Sequence, residues 1–259
     1  LPTLGLDRRI AGSVVEVRTE TPTADVATIA GWAIARGVEL DALTLARAGA
    51  DVVVADILVE SDTSAAERYG ALAQAAVAQG MVHTEETVEE IRALGRRALA
   101  LRCDVTDAGQ VALAVERTVT ELGSVDIVVN NAGTLDHMGR LGDQRLDLWE
   151  RDLRVNLTGA FLCAQAVWPH MQARGWGRIV NMASVAGTLG GFGQASYATT
   201  KAGVLGLTRT LALEGGRHGI TCNAIVPGII GTEAFHMANP AMNERIVNTT
   251  KKTIQAKNW

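Results

Sequence analysis

The chain has 259 residues, of which 47% are hydrophobic and 20% are charged, and its formal net charge at pH 7 is −4. These values exclude a disordered chain, and they give no basic surface of the kind that binds nucleic acid. No apolar stretch approaches the roughly 18–20 residues of a membrane span, and the first residues lack a signal-peptide pattern, so we expect a cytoplasmic protein with neither a nucleic-acid nor a membrane partner.

Short apolar runs alternate with helical patterns along most of the chain. Residues 1–24 are polar and without a period, and we expect them to form a poorly ordered arm before a single domain at 25–259. Because the runs are almost continuously apolar, they are typical of parallel strands that are buried on both faces. The predicted strands are Val26–Ala30, Val52–Ala55, Ala98–Leu101, Val125–Val129, Arg178–Met182 and Thr221–Val226.

Helices are predicted between these strands, and their ends carry capping signals. Asp107 is a predicted N-cap, and Gly95 stands where a helix commonly ends in a left-handed residue. A further helix is predicted as an insertion near 59–84, and Pro169 is expected to interrupt the longest helical segment. The predicted helices are Glu85–Leu94, Ala108–Leu122, Leu146–Arg174 and Tyr197–Leu213.

This alternation of strands and helices predicts right-handed βαβ crossovers. We therefore expect an α/β fold, with a doubly wound, Rossmann-like parallel sheet and helices on both of its faces. The short segment after Thr232 has no strand pattern, so the sheet is expected to end at its sixth strand.

The stretch ASYATTKAG at 195–203 contains a tyrosine and a lysine four residues apart, Tyr197 and Lys201. On a helix this spacing places the phenol and the ammonium on one face. A nearby cation stabilises a phenolate and lowers the pKa of the tyrosine, which suits proton transfer near neutral pH. Lys201 is also the only lysine before residue 251. We interpret the pair as catalytic.

Two further polar groups follow predicted strands. Ser184 comes after the run GRIVNM, and Asn130 to Gly133 follow VDIVV. The carboxyl ends of parallel strands face the crevice in which doubly wound proteins bind ligands. Ser184 is therefore expected to share a substrate oxygen with Tyr197, and Gly133 to allow a flat ligand to approach closely.

These motifs, in this order, resemble the short-chain dehydrogenase/reductase family from about Asp51 to Thr232. The resemblance implies an oxidoreductase that interconverts a secondary alcohol and a ketone, small molecules both, by hydride transfer. It makes Tyr197 the acid/base and assigns the positioning of the substrate oxygen to Ser184. Lys201 would bind the nicotinamide ribose, and Asn156 would kink a helix and hold a proton-relay water.

The same resemblance implies a cofactor cleft and an oligomer. Asp104 and Val105 would border the adenine, and the turn after the sixth strand would contact the nicotinamide carboxamide. A homodimer or homotetramer through the helices at 146–174 and 197–217 is implied as well. The implied cleft residues beyond the catalytic pair are Asp104, Val105, Asn131, Ala132, Gly133, Pro227, Gly228, Ile230 and Thr232.

Asp56 is predicted to decide which dinucleotide binds, because it ends the second predicted strand. A carboxylate there accepts hydrogen bonds from the ribose hydroxyls and repels a 2′-phosphate. NAD is therefore favoured over NADP. The alternative is a solvated acid at the end of a strand. No metal is expected, since Cys103, Cys163 and Cys222 are widely spaced in apolar surroundings and are interpreted as free thiols.

The glycine-rich loop departs from the family pattern. Its nearest fit uses Gly31 and Gly37, with a longer spacing, and Glu39 stands where a third glycine is usual. A carboxylate at that position is expected to repel the pyrophosphate. The alternatives to a dehydrogenase are therefore a non-catalytic relative with weakened cofactor binding and, within the same fold, an epimerase or dehydratase that uses bound NAD.

Overall fold

The computed structural model describes residues 10–11, 14–15, 42–63, 66, 74, 77–78, 80, 82–135 and 138–228. Its strands are β1 (Ile10–Ala11), β2 (Val14–Val15), β3 (Val52–Asp56), β4 (Ala98–Arg102), β5 (Ile127–Asn130), β6 (Gly177–Met182) and β7 (Ile220–Ile225). Its α-helices are α1 (Ala42–Arg47), α2 (Thr84–Ala93), α3 (Ala108–Leu122), α4 (Leu146–Asp152), α5 (Gly159–Arg174), α6 (Ala186–Leu189) and α7 (Ala195–Gly215). A π-helical turn (Leu153–Thr158) joins α4 to α5, and 3-10 turns occupy Leu141–Asp143 and Gly216–His218.

The main strands are parallel, as the sequence predicts for an α/β fold. β3 pairs with β4, with Val52 opposite Ala98, and β5, β6 and β7 form a second parallel sheet in that order. Within the described ranges, one edge of β3 and one edge of β5 have no strand partner. The predicted strand at 26–30 and the segment after residue 228 lie outside the described residues.

Each sheet has its own hydrophobic cluster. Val88 and Ile91 of α2 pack on β3 and β4, and Ile91 is completely buried. Around the second sheet, Met171 of α5 packs with Ile179 and Ile220, and all three are at most 1% exposed. Burial of one such side chain stabilises the fold by about 1.5–3 kcal/mol. The helices are thus held on the sheet by the apolar positions that the sequence pattern indicates.

The predicted helix ends are largely confirmed. Asp107 is the N-cap of α3, and its Oδ1 accepts hydrogen bonds from the backbone N–H groups of Gly109 and Gln110. Gly123 ends α3 with φ 95°, and Gly95 follows α2 with φ 79°. Both angles are in the left-handed region that glycine adopts at little cost.

The predicted interruption of the long helix at Pro169 is wrong. Helix α5 continues through Pro169, and the break in the regular α-helix lies earlier, at the π-helical turn 153–158. A π turn inserts one residue into the helical ladder and changes the direction of the side chains that follow it. Asn156, which the family resemblance makes a helix-kinking residue, lies in this turn, so the irregularity is at Asn156 and not at Pro169.

The first part of the chain is described only in places. β1 and β2 form an antiparallel pair inside the arm that was expected to lack regular structure. Near the predicted insertion, Ala66 packs on the buried Leu58, and α2 starts at Thr84. Among the described residues, no helix is long and apolar enough to cross a membrane.

Candidate active site

The residues predicted to be catalytic meet where β6 ends and α7 begins. Ser184 lies two residues after β6 and is 9% exposed, and its side chain interacts with the phenol of Tyr197 in the first turn of α7. Lys201 follows one turn later and is 5% exposed. Its Nζ lies 5.5 Å from the centroid of the Tyr197 ring. The structure therefore brings together the serine, the tyrosine and the lysine.

The electrostatics of Tyr197 differ from the expectation. Burial raises the pKa of Tyr197, and the hydrogen bond with Ser184 lowers it only in part, so the pKa stays above its ordinary value. Lys201 donates from Nζ to the carbonyl oxygen of Met182 over 2.6 Å, and burial lowers its own pKa to about 8. In the described protein the ammonium is thus directed at the backbone of β6, and the expected lowering of the tyrosine pKa is not seen.

Asn156 holds the loop that follows β5. Its side chain is 2% exposed. Its Oδ1 accepts a hydrogen bond from Thr134 N over 2.7 Å, and its Nδ2 donates to Thr134 O over 3.0 Å. Nδ2 also lies 3.4 Å from Thr200 Oγ1 on α7. Asn156 therefore connects the β5 loop to the helix that carries Tyr197.

Gly133 lies directly against the catalytic groups. A methyl group at its Cα would be 3.2 Å from Asn156 Oδ1 and 3.6 Å from Lys201 Nζ. Asn131, Ala132 and Gly133 are exposed at the end of β5, next to these side chains. The residues predicted to line the cofactor cleft at the end of β5 therefore lie next to the residues predicted to be catalytic.

The turn after β7 lies beside Ser184. The backbone N–H of Val185 donates to the Pro227 carbonyl oxygen over 3.0 Å, and that of Ala183 donates to Ile225 O over 2.8 Å. Pro227 and Gly228 are thereby placed next to the serine. Ile230 and Thr232, predicted for the same turn, lie outside the described residues.

Asp104 and Val105 lie just after β4. The Asp104 carboxylate accepts hydrogen bonds from the N–H and the hydroxyl of Thr106 over 2.8 and 2.7 Å. Val105 packs on the first residue of α5, since a Cβ on Gly159 would lie 2.7 Å from Val105 Cγ2. This close approach brings the end of β4 against the start of α5, at the same edge as the catalytic residues.

Asp56 ends β3 with an exposed side chain. Its Oδ1 accepts a hydrogen bond from Leu58 N over 3.0 Å. Desolvation of the carboxyl by the surrounding protein raises its pKa. The carboxylate stands at the carboxyl end of a parallel strand, as predicted. Gly31, Gly37 and Glu39 lie outside the described residues.

Two residues of this region were not predicted from the sequence. A Cβ on Gly187 would lie 2.6 Å from the Lys201 carbonyl carbon, so only glycine permits this contact between α6 and α7. Thr200 is completely buried and donates from Oγ1 to Tyr197 O over 2.7 Å. The spacing of Ser196 and Thr200, one helical turn apart, indicates from the sequence that the two side chains lie on one face of a helix. The Gly187 contact depends on tertiary packing, which the sequence pattern does not show.

Cysteine and metal chemistry find little support in the described structure. Cys103, Cys163 and Cys222 are free thiols. Burial raises the pKa of Cys163 to about 12 and those of the other two to about 11, which makes them poor nucleophiles at neutral pH. Over the part of the chain that the structure describes, no group of three or more His, Cys, Asp or Glu side chains could hold a metal ion.

Two family models match different parts of the chain. The model described as short chain dehydrogenase matches residues 69–243. A second model, described as the C-terminal domain of ABC transporter domain-containing protein-like proteins, matches residues 1–49. The candidate glycine loop lies before the first match and inside the second. The dehydrogenase match therefore covers Ser184, Tyr197 and Lys201 and does not cover the glycine loop.

Relatives and solved structures agree with the first model. A (2S)-[(R)-hydroxy(phenyl)methyl]succinyl-CoA dehydrogenase subunit from Thauera aromatica is 41% identical, over 80% of this chain and 73% of its own. A 3-oxoacyl-[acyl-carrier-protein] reductase from Synechocystis is 39% identical, over 62% of this chain and 65% of its own, so the chain spans slightly less than two thirds of that relative.

Among solved structures, NAD+-bound xylitol dehydrogenase is 36% identical with a TM-score of 0.57, over 63% of this chain and 60% of its own. A protein described as a short-chain alcohol dehydrogenase from Sinorhizobium meliloti 1021 is 34% identical with a TM-score of 0.64, over 80% of this chain and 71% of its own. Both likenesses agree with the parallel Rossmann-like sheet described above. The chain belongs to the short-chain dehydrogenase family of oxidoreductases, which use a nicotinamide cofactor.

Proposed function

We propose that this protein is an NAD(H)-dependent oxidoreductase that interconverts a secondary alcohol and a ketone, with Tyr197 as the acid/base. The observation that carries the proposal is the placement of Ser184 beside Tyr197, whose pKa it lowers, with Lys201 one helical turn away. Two hydroxyl groups at one point can both contact a single carbonyl oxygen. This is the arrangement that proton transfer to a ketone requires.

The side chains divide the work between orientation and proton transfer. A bound nicotinamide supplies the hydride. Ser184 donates a hydrogen bond to the substrate oxygen and holds it against Tyr197, whose O–H gives the proton as the alcohol forms. The phenolate that remains is stabilised by the Ser184 hydroxyl. In the oxidative direction the phenolate takes the alcohol proton.

The cleft residues present fit a dinucleotide at the catalytic end. Gly133 lies beside Lys201, and Asn131 and Ala132 are exposed at the same edge. We assign the adenosine ribose to Asp56, which favours NAD over NADP because a carboxylate repels a 2′-phosphate. The NAD+ of the solved xylitol dehydrogenase supports this choice.

The relatives suggest a class of substrates to test. The Thauera aromatica relative is a dehydrogenase of a hydroxylated acyl-CoA, and the Synechocystis relative is a reductase of an oxoacyl thioester. In both names the reacting group is an alcohol or ketone on an acyl chain that is carried as a thioester. We therefore include 3-oxoacyl thioesters among the candidate substrates. A homodimer or homotetramer is proposed for the active form.

A second candidate function is that of a non-catalytic binding protein with the same fold. Two observations favour it: the dehydrogenase match begins only at residue 69, and Glu39 occupies a predicted phosphate-contacting position. The complete set of Ser184, Tyr197 and Lys201 favours the enzyme, because a protein that only binds does not need all three.

The test is a comparison of the parent protein with Tyr197→Phe. NADH fluorescence reports binding, and loss of NADH absorbance with a panel of ketones and 3-oxoacyl thioesters reports turnover. We expect turnover in the parent, a fall of about 10²-fold or more in Tyr197→Phe, and similar NADH binding by both proteins. Near-normal turnover by Tyr197→Phe would refute the assignment of the acid/base. NADH binding without turnover on any substrate would favour the binding protein.

A further inference from the structure

Two hydrogen bonds connect the α4 region to the start of α7. Ser196 Oγ donates to Asp152 Oδ2 over 2.6 Å, and one turn further Asn156 Nδ2 approaches Thr200 Oγ1 at 3.4 Å. The two partners on each side are four residues apart, so each pair lies on one face of its helical segment. We call the Ser196–Asp152 contact the first rung and the Asn156–Thr200 contact the second rung.

The first rung is fully buried and strong for its type. Asp152 is 0% exposed and Ser196 is 2% exposed. A hydroxyl that donates to a carboxylate at this distance forms a charge-assisted hydrogen bond. The neighbouring Arg151 places Nη2 3.9 Å from Asp152 Oδ1. In addition, the carboxylate lies at the first turn of α7, where the helix dipole favours a negative charge.

The α7 residues of the two rungs, Ser196 and Thr200, lie on either side of Tyr197 in the sequence. Ser196 immediately precedes it, and Thr200 of the second rung donates to the Tyr197 carbonyl oxygen over 2.7 Å. A small rotation of the first turn of α7 would move the phenol away from Ser184. The first rung is placed to resist that rotation, and through it Asp152 acts on Tyr197 by way of Ser196.

We propose that Asp152 is a positioning residue: through Ser196 it fixes the rotation of α7 so that the Tyr197 hydroxyl stays beside Ser184. The expected effect on kcat rests on the proposed function, whereas the expected effect on the position of the Tyr197 phenol does not. If the first rung is lost, the phenol loses its partner and its pKa rises further, because the hydrogen bond with Ser184 is what lowers it.

The chain allows this geometry to be read from a single side chain. It has two tyrosines, Tyr69 and Tyr197, so Tyr69→Phe leaves Tyr197 as the only tyrosine signal. With tyrosine isotope-labelled at Cζ, NMR follows the environment and the titration of this one phenol. In that background we compare Ser196→Ala, Asp152→Val and Asp152→Asn. The last of these keeps a carbonyl oxygen that accepts from Ser196.

Ser124→Ala is the matched control. Ser124 Oγ donates to Asp126 Oδ2 over 2.7 Å, the same kind of bond, just before β5. We expect Ser196→Ala and Asp152→Val to shift the Tyr197 resonance and to raise its pKa by about half a pH unit or more, the equivalent of one net hydrogen bond. Asp152→Asn and Ser124→Ala should match the parent.

Kinetics supply the second readout. Ser196→Ala should lower kcat by about 10- to 100-fold, the effect of misplacing a catalytic group, with KM for NADH unchanged. Asp152→Asn should recover most of kcat. A parent-like Tyr197 resonance in Ser196→Ala, or an Asp152→Asn protein as impaired as Asp152→Val, would overturn the proposal. If Asp152→Val does not fold, Ser196→Ala and Asp152→Asn still test the proposal. If the parent shows no turnover, the Tyr197 resonance alone tests the proposal, and the absence of turnover counts against the proposed function.

Discussion

Lys201 Nζ donates a 2.6 Å hydrogen bond to the carbonyl oxygen of Met182, two residues before Ser184. This bond ties the helix that carries Tyr197 to the strand that carries Ser184. The lysine is buried, and its ammonium is held by a backbone oxygen. A ribose that approaches Lys201 would therefore find the cation already oriented, at the price of a buried charge.

That buried charge should make stability depend on pH. Burial lowers the Lys201 pKa from 10.5 to about 8, so between these values the unfolded chain binds a proton that the folded protein does not. Stability should then rise with pH from about 8 to about 10.5. Chemical denaturation of the parent and of Lys201→Met should show a stability difference that shifts by about 1–3 kcal/mol in favour of the parent across this range. A constant difference would contradict the low pKa.

Gly133→Ala should weaken cofactor binding. The new methyl group would lie 3.2 Å from Asn156 Oδ1 and close to Lys201 Nζ, in the space assigned to the nicotinamide end of the cleft. We expect NADH affinity to fall by about tenfold or more, or about 1.4 kcal/mol. Gly206→Ala is the control, because a Cβ at Gly206 on α7 meets nothing within 4 Å. Calorimetric titration measures both variants, and equal affinities would place the cofactor elsewhere.

Asp56→Ala should narrow the preference for NADH over NADPH. The Asp56 carboxylate accepts a hydrogen bond from Leu58 N and stands at the end of β3, where it would repel a 2′-phosphate. Removing one charge contact is expected to change the ratio of kcat/KM values by about tenfold. The ratio for the two cofactors is measured in the parent and the variant. A parent that prefers NADPH would show that Asp56 has another role.

Glu39→Gly tests the unusual glycine loop. If residues 30–39 contact the pyrophosphate, the Glu39 carboxylate repels it, and its removal should tighten NADH binding by about 5- to 150-fold, or about 1–3 kcal/mol. Calorimetry on the parent and the variant measures the change. Glu60→Gln alters another acid on the α2 side of the molecule and serves as a control. Unchanged affinity in Glu39→Gly would place Glu39 outside the phosphate site.

The sequence predicted most strands, and it predicted which polar side chains the structure brings together, because both have local causes. The apolar run at 178–182 must be buried on both faces, and the spacing of Tyr197 and Lys201 is fixed by the helix. The break near Asn156 and the pKa of Tyr197 depend on tertiary packing. Pro169 was a reasonable local signal for a break, but α5 continues through it. Likewise, the hydrogen bond of Lys201 to Met182 involves a strand far away in sequence.

The hydrophobic clusters of the two described sheets are linked by a charged side chain. β3 and β4 share one hydrophobic cluster with α1 and α2, and β5 to β7 share another with α5. Arg97 joins them from the start of β4, through hydrogen bonds to the carbonyl oxygens of Glu121 and Leu122 at the end of α3. Because a dinucleotide would contact the carboxyl ends of β3–β4 and of β5–β7, bound cofactor would slow amide exchange in both described sheets together.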